Sequence, residues 1–188
     1  MTRSAPPSPP RRARALRTRQ ALVDAALSLF EREGLAAVSI DAMVRQAGVA
    51  KGTFYVHFRD RDAFLLEIHR DFHDRLACRI ESATERAAPG MERLWLGITA
   101  YLDGCLAERG RKALLFDARS ESSLSEEVAR RNESMAAVAA RELGAAGHPS
   151  SRATARLVVA MAAEVAFAEM RRGRKDIALR DALRRMIA

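Results

Sequence analysis

The stretch that most constrains the fold is Ser39–Phe58, SIDAMVRQAGVAKGTFYVHF, which compresses two short helical patterns and one tight turn. Ser39 is a helix N-cap candidate, because its hydroxyl can accept a bond from an otherwise orphaned backbone N–H. Ile40, Met43, Val44 and Ala47 then recur at helical spacing and give that helix one apolar face. Gly48 can take the left-handed conformation that turns the chain sharply, and Val49 offers an apolar plug between the two helices. In the second helix Phe54 and Phe58 lie four apart and face inward, while Lys51, Thr53, Tyr55 and His57 fall on other faces as hydrogen-bond donors. Such a pair is a helix-turn-helix pattern, whose second helix can lie in a major groove with its N-terminal residues nearest the base edges.

The surrounding chain extends this reading. Arg17–Glu33 carries Leu22, Ala25, Ala26, Leu29 and Phe30 on one stripe, closed by Gly34, so a first helix backs the pair. Its N-terminus near Thr18 would offer free N–H groups to a phosphate. Before it, Met1–Ala15 holds APPSPPRRARA and reads as a disordered arm. Six arginines precede the first acid, Asp24, so the arm is either a phosphate-neutralising tether or a solubilising tail. Asp60 caps a long apolar-faced helix from Arg61 to about Ala87, which Pro89-Gly90 stops. Further helices follow over Met91–Arg109, Arg111–Phe116, a segment opened by a Ser123-x-x-Glu126 capping box, Arg152–Arg172 and Asp176–Ile187. No strand and no internal repeat is legible, so the fold class is all-α.

At 188 residues the chain can bury a substantial core, and its net charge of +8 favours an acidic partner. Only Cys78 and Cys105 are present, without ligand spacing; both read as packing residues in a reducing cytoplasm. No apolar run approaches the roughly 20 residues that cross a bilayer, and no signal core is visible, so no membrane partner is expected.

The segment GVAKGTFYVHF, preceded by FEREG and SIDAMVRQA, resembles the DNA-binding domain of the TetR family of bacterial transcriptional regulators across Thr18–Leu66. The chain departs from the family in having Ala50 where serine is usual, which removes an N-cap from the recognition helix. It also has Arg59, Asp60, Arg61 and Asp62 where the family has a serine-lysine pair, so the basic backbone contact would pass to an arginine. The resemblance implies a phosphate contact at Tyr55 and a DNA-facing position for Lys51 and Thr53. The expected DNA-binding set is Thr18, Ser39, Lys51, Gly52, Thr53, Tyr55, His57, Arg59 and Arg61, with Gly52 allowing close backbone approach. Expected domain limits are a basic arm at 1–15, a helix-turn-helix domain at 16–60, and a helical ligand-binding and dimerisation domain at 61–188.

In the last two helices, Leu157, Val158, Met161, Val165 and Ala168 cover more than one helix side, and Leu179, Leu183 and Met186 add a second stripe. They read as a two-fold homodimer interface or as a buried central helix. Glu164 interrupts the run and calls for a partner, either an arginine across the dimer or a ligand. Phe72, Leu76, Trp95, Ile98, Tyr101, Phe116, Met135 and Phe167 suit either simple core or a cavity, with Arg119 and Tyr101 as polar groups to orient a ligand. The resemblance implies the cavity. His69 and His73 lie on one helical face without a convincing third ligand, so a solvated polar face is expected there, and neither metal nor cofactor.

The resemblance implies a DNA-binding regulator, a repressor that holds a palindromic operator as a homodimer and is released by a small, mostly apolar effector. The rivals are a helical adaptor with a vestigial helix-turn-helix, an activator of the same fold, and an enzyme. The last lacks any nucleophile–base arrangement, glycine-rich phosphate loop or metal motif.

Overall fold

The computed structural model describes residues 11–149 and 151–187, and among these every regular element is helical. They are α1 (Arg11–Glu33), α2 (Ile40–Gln46), α3 (Lys51–His57), α4 (Arg61–Thr84), α5 (Met91–Ala107), α6 (Arg109–Asp117), α7 (Ser122–Ala145), α8 (Ser151–Arg172) and α9 (Ile177–Ile187). Two compact units emerge, dividing within α4 between Phe64 and Leu65.

Several element limits differ from those expected; α5 ends at Ala107 rather than Arg109, and α6 runs from Arg109 to Asp117 rather than from Arg111 to Phe116. α1 begins at Arg11 rather than Arg17, because RRARALRTRQ is rich in strong helix formers despite the prolines before it. Residues 11–15 of the expected arm are therefore helical, and the rest of it lies outside the described residues. α4 ends at Thr84, whose hydroxyl bonds back to the Ile80 carbonyl at 2.8 Å, and not at Ala87. α7 begins at Ser122, with Glu121 at its N-cap making no side-chain cap bond, so Ser123 lies inside the helix instead of opening a capping box.

In the first unit, Leu22, Ala26, Val38, Met43, Phe54 and Phe64 are wholly buried. The rings of Phe54, Phe58 and Phe64 form one cluster, with centroids 5.3 Å, 5.8 Å and 4.9 Å apart pairwise. Phe58 and Phe64 meet edge-on and Phe54 is tilted against both, and rings packed this way bury large area in specific geometry, which fixes how α3 is rolled about its axis. The turn between α2 and α3 follows from local chemistry. Gly48 sits at φ +66°, its N–H donates to Arg45 at 3.3 Å, and the Val49 N–H donates to Val44 at 3.0 Å. These are the two bonds of a Schellman stop, which needs a residue without Cβ at the left-handed position.

In the second unit α7 and α8 pack along one another, and α5 lies against both. α5 meets the Leu65–Thr84 part of α4 through a glycine: a Cβ on Gly104 would lie 2.5 Å from Leu76 Cδ2. The carboxylate that α8 buries is Glu169 and not the expected Glu164, which is exposed. Glu169 accepts two bonds from Arg180, at 2.6 and 2.7 Å, and one from the Asp176 N–H at 2.9 Å. Three charge-assisted bonds are what allow a carboxylate to lie in an apolar interior. Cys105 is buried, but Cys78 is exposed and packs no core.

Candidate nucleic-acid interface and ligand cavity

α3 buries only Phe54, and Phe58 follows at its C-cap. Gly52 and Val56, on the opposite side of the helix, are exposed, as are Lys51 and Tyr55, while Thr53 and His57 are half-buried. Val56 is 79% exposed, an apolar side chain in full contact with solvent. Sequence reasoning passed over it, although its position opposite Phe54 and Phe58 on a helical wheel was readable. Ala50 makes no side-chain bond to the first turn of α3.

The charges around α3 are organised within the unit. Lys51 Nζ sits 2.8 Å from Asp41 Oδ1, and that hydrogen bond and charge raise the lysine pKa further. Burial and then the Arg19 charge hold His57 below its ordinary 6.5, so at neutral pH it offers a neutral ring. Arg19 itself stacks over Phe58 at 4.7 Å. Ser39 caps α2, its Oγ accepting from the Ala42 N–H at 3.2 Å, and Asp60 caps α4, accepting from Ala63 at 2.7 Å. Arg59 is exposed and pairs with Asp60 at 2.7 Å.

Two of the expected phosphate contacts take different positions. Thr18 lies inside α1, where its hydroxyl donates to the Arg14 carbonyl at 3.1 Å, so no free helix N-terminus exists at that residue. Arg61 turns inward and donates from Nε to the Val38 carbonyl at 2.6 Å, holding the start of α4 to the loop before α2. Its task inside the fold is to satisfy carbonyls that the 3₁₀ turn Leu35–Ala37 and its exit leave open.

The second unit contains an apolar cavity of about 320 Å³ between the Leu65–Thr84 part of α4, α5, α7 and α8. Leu76, Ile98, Tyr101 and Met135 of the expected set line it, together with His73, Ile80, Leu94 and Val158. Phe72 is wholly buried and, like Trp95, Phe116, Arg119 and Phe167, is not part of its lining. Phe116 and Phe167 stack on each other at 4.1 Å and Arg119 lies 3.6 Å above Phe116, a separate assembly with an exposed arginine. Arg184 covers Trp95 at 5.4 Å. Aromatic residues at helical spacing satisfied one another instead of a void, which spacing alone cannot distinguish.

His69 and His73 correct the expected solvated face. His69 is 2% exposed, the two rings lie 4.3 Å apart, and burial lowers their pKa values to about 4 and about 3. No group of three metal-ligating side chains occurs among the described residues. Of the residues expected at a dimer interface, Val158, Val165 and Leu183 are buried in the unit's own core. Leu157, Glu164, Leu179 and Met186 are exposed, and Met161 and Ala168 half-buried. No helix among the described residues is long and apolar enough to cross a membrane.

Comparison with known proteins bears on this geometry. The sequence profile of the family described as "Bacterial regulatory proteins, tetR family" matches residues 22–68, which contain α2 and α3. The HTH-type transcriptional regulator AcrR of Shigella flexneri is 39% identical over 54 residues, covering 29% of this chain and 25% of that protein. The uncharacterized HTH-type transcriptional regulator TtgW of Pseudomonas putida is 30% identical over 118 residues, covering 60% of this chain and 83% of that protein. Among solved structures, a TetR-like transcriptional regulator from Rhodococcus sp. RHA1 aligns with a TM-score of 0.75 over 96% of both chains at 21% identity, a likeness of fold.

Proposed function

Since this chain belongs to the TetR family of bacterial regulatory proteins, we propose that it is a DNA-binding transcriptional regulator, a repressor acting as a homodimer on a palindromic operator. The observation that carries the reading is the outward face of α3. A seven-residue helix buries Phe54 and leaves Lys51, Gly52, Tyr55 and Val56 exposed, in a chain of net charge +8. Lys51 and Tyr55 supply donors to phosphate, and Val56 supplies an apolar contact of the kind that reads a thymine methyl. One such helix makes few contacts, and two related by a two-fold axis would span half-sites one helical turn apart, about 34–36 Å. Exposed Leu157, Leu179 and Met186 on α8 and α9 are apolar surface that such a partner would cover.

The cavity supports ligand control. Its lining takes in α4 from His73 to Thr84, and α4 begins at Arg61 in the unit that carries α3. A small, mostly apolar effector would favour an α4 position in which the recognition helices no longer match successive grooves. Linkage then requires that the effector bind that state more tightly by the factor through which operator affinity falls.

The test is selection of bound sequences from a random duplex pool at near-physiological salt, repeated with Tyr55→Phe and Lys51→Ala. A recovered palindrome, weakened by both substitutions, is expected. Salt-sensitive binding without a shared sequence would mean that α3 does not read bases.

A further inference from the structure

We propose that the cavity takes an amphiphile with an apolar chain and a carboxylate head, the head held by Lys112 and Tyr101; this rests on the effector role given to the cavity above. The chain has three lysines. Lys51 pairs with Asp41 and Lys175 with Asp103, both at 2.8 Å. Lys112 is half-buried, and among the described residues its polar neighbour is the Tyr101 hydroxyl, 3.5 Å from Nζ, at the outer limit of a hydrogen bond. A half-buried ammonium without a carboxylate carries a desolvation cost that an arriving anion would offset.

The groups around it suit an anion. Tyr101 lines the cavity, and burial, then the Cys105 thiol, push its phenol well above the ordinary value, so it remains a donor. His73 lines the cavity beside His69, and both rings are neutral at pH 7, so neither needs a carboxylate of its own. His69 Nδ1 is buried without a hydrogen-bond partner, one ring behind the lining. The cavity's one carboxylate, Glu142, is already engaged, accepting from the Gly90 N–H at 3.1 Å with Arg93 at 3.7 Å. Arg131 is likewise paired, with Asp74 at 2.7 Å and Glu127 at 3.3 Å.

The polar lining falls at both ends, with His73 and Arg131 at one and Thr84, Arg93, Arg141 and Glu142 at the other. A Cβ on Gly104 would touch Leu76 and one on Gly97 would touch Ile80 and Thr84, so α4 and α5 run antiparallel and Tyr101 lies between those two levels. Eleven residues from His73 to Thr84 span about 16 Å of α4. Between them the wall is Leu76, Ile80, Leu94, Ile98, Met135 and Val158. Tyr101 and the neutral His73 in the wall, with Lys112 reaching the Tyr101 hydroxyl from behind it, make a donor cluster for a carboxylate beside an apolar wall for a chain.

The experiment titrates wild type, Lys112→Met, Lys112→Arg and Tyr101→Phe with decanoate and with decanol, each displacing the neutral dye N-phenyl-1-naphthylamine. The expected result is that Lys112→Met weakens decanoate about ten-fold or more while leaving decanol unchanged, and that Lys112→Arg retains decanoate binding. Thermal melts of Lys112→Met should match or exceed wild type, and Tyr101→Phe repeats the decanoate comparison should that variant fail to fold. Equal decanoate affinity in wild type and the variants, with both amphiphiles displacing the dye, would overturn the head-group assignment and leave the effector role standing. Failure of the dye and both amphiphiles to bind would overturn the effector role of the cavity itself.

Discussion

Gly52 should cost stability and be retained for what lies outside the chain. It is the second residue of α3, it does not have a positive φ, and a Cβ built on it meets nothing within 4 Å. The fold therefore accepts alanine without strain, and Gly52→Ala should stabilise the protein by about 0.5–1 kcal/mol, because glycine loses more backbone freedom on folding. Gly52 also lies opposite buried Phe54 and Phe58, on the face that presents Val56. A methyl group between the α3 backbone and a duplex would hold the helix off, lengthening the contacts of Lys51 and Tyr55. Losing one or two charged hydrogen bonds at about 1.5–3 kcal/mol each corresponds to roughly ten-fold or more in Kd. Urea denaturation and fluorescence anisotropy on the selected duplex measure the two effects on one preparation. Raised stability with weakened binding is expected. Raised stability with unchanged affinity would refute the close approach of α3, and lowered stability would refute the open space around Gly52.

Three other outcomes are expected. Lowering the pH from 7 to 5 should destabilise the second unit by about 2 kcal/mol for each of His69 and His73, since the unfolded rings take up protons below their ordinary 6.5 while the buried rings, at about 4 and about 3, do not. Stability is thus full above pH 6.5 and falls as pH drops toward the folded values; urea midpoints at both pH values should converge in His69→Phe/His73→Phe, and an unchanged pH slope there would refute the assignment. Glu169→Ala should cost about 3–5 kcal/mol in urea denaturation, because it leaves the Arg180 guanidinium in the interior with only Asp103, at 2.7 Å, as partner; a loss under 1 kcal/mol would show that the pair is solvated. Arg61→Ala should lower stability by about 1–2 kcal/mol through the lost Val38 bond yet keep the salt slope of DNA binding, whereas Lys51→Ala should reduce that slope by about 1; a reduced slope for Arg61→Ala would return it to the phosphate contacts.

The helix-turn-helix was legible because its determinants are local. A hydroxyl at Ser39 caps its own helix, Gly48 adopts its own φ, and Phe54 and Phe58 share a face through periodicity alone. The all-helical class followed from the same short-range signals. The errors came where a side chain's role depends on residues far along the chain. Periodicity placed Glu164 in an apolar run, but the interior of the second unit lies toward Val158, Val165 and Glu169, and only Arg180 explains how Glu169 is tolerated there. The resemblance implied a DNA-backbone contact for Arg61, and the part-buried side chain instead donates to the Val38 carbonyl 2.6 Å away.

What sequence alone determined, then, is the set of helices, the glycine turn between α2 and α3, and the face of α3 left without a core to join. Such properties depend on hydrogen bonds and dihedrals within a few residues of one another. Only the tertiary structure decided that Leu76, Ile98, Tyr101 and Met135 border a void while Phe116 and Phe167 fill space against each other. It also decided that His69 lies inside with His73 in the cavity wall, and that Lys112, alone of three lysines, meets a phenol instead of a carboxylate. A void, a burial and a missing counter-charge are properties of how faces from distant segments meet, and no single helix period records them.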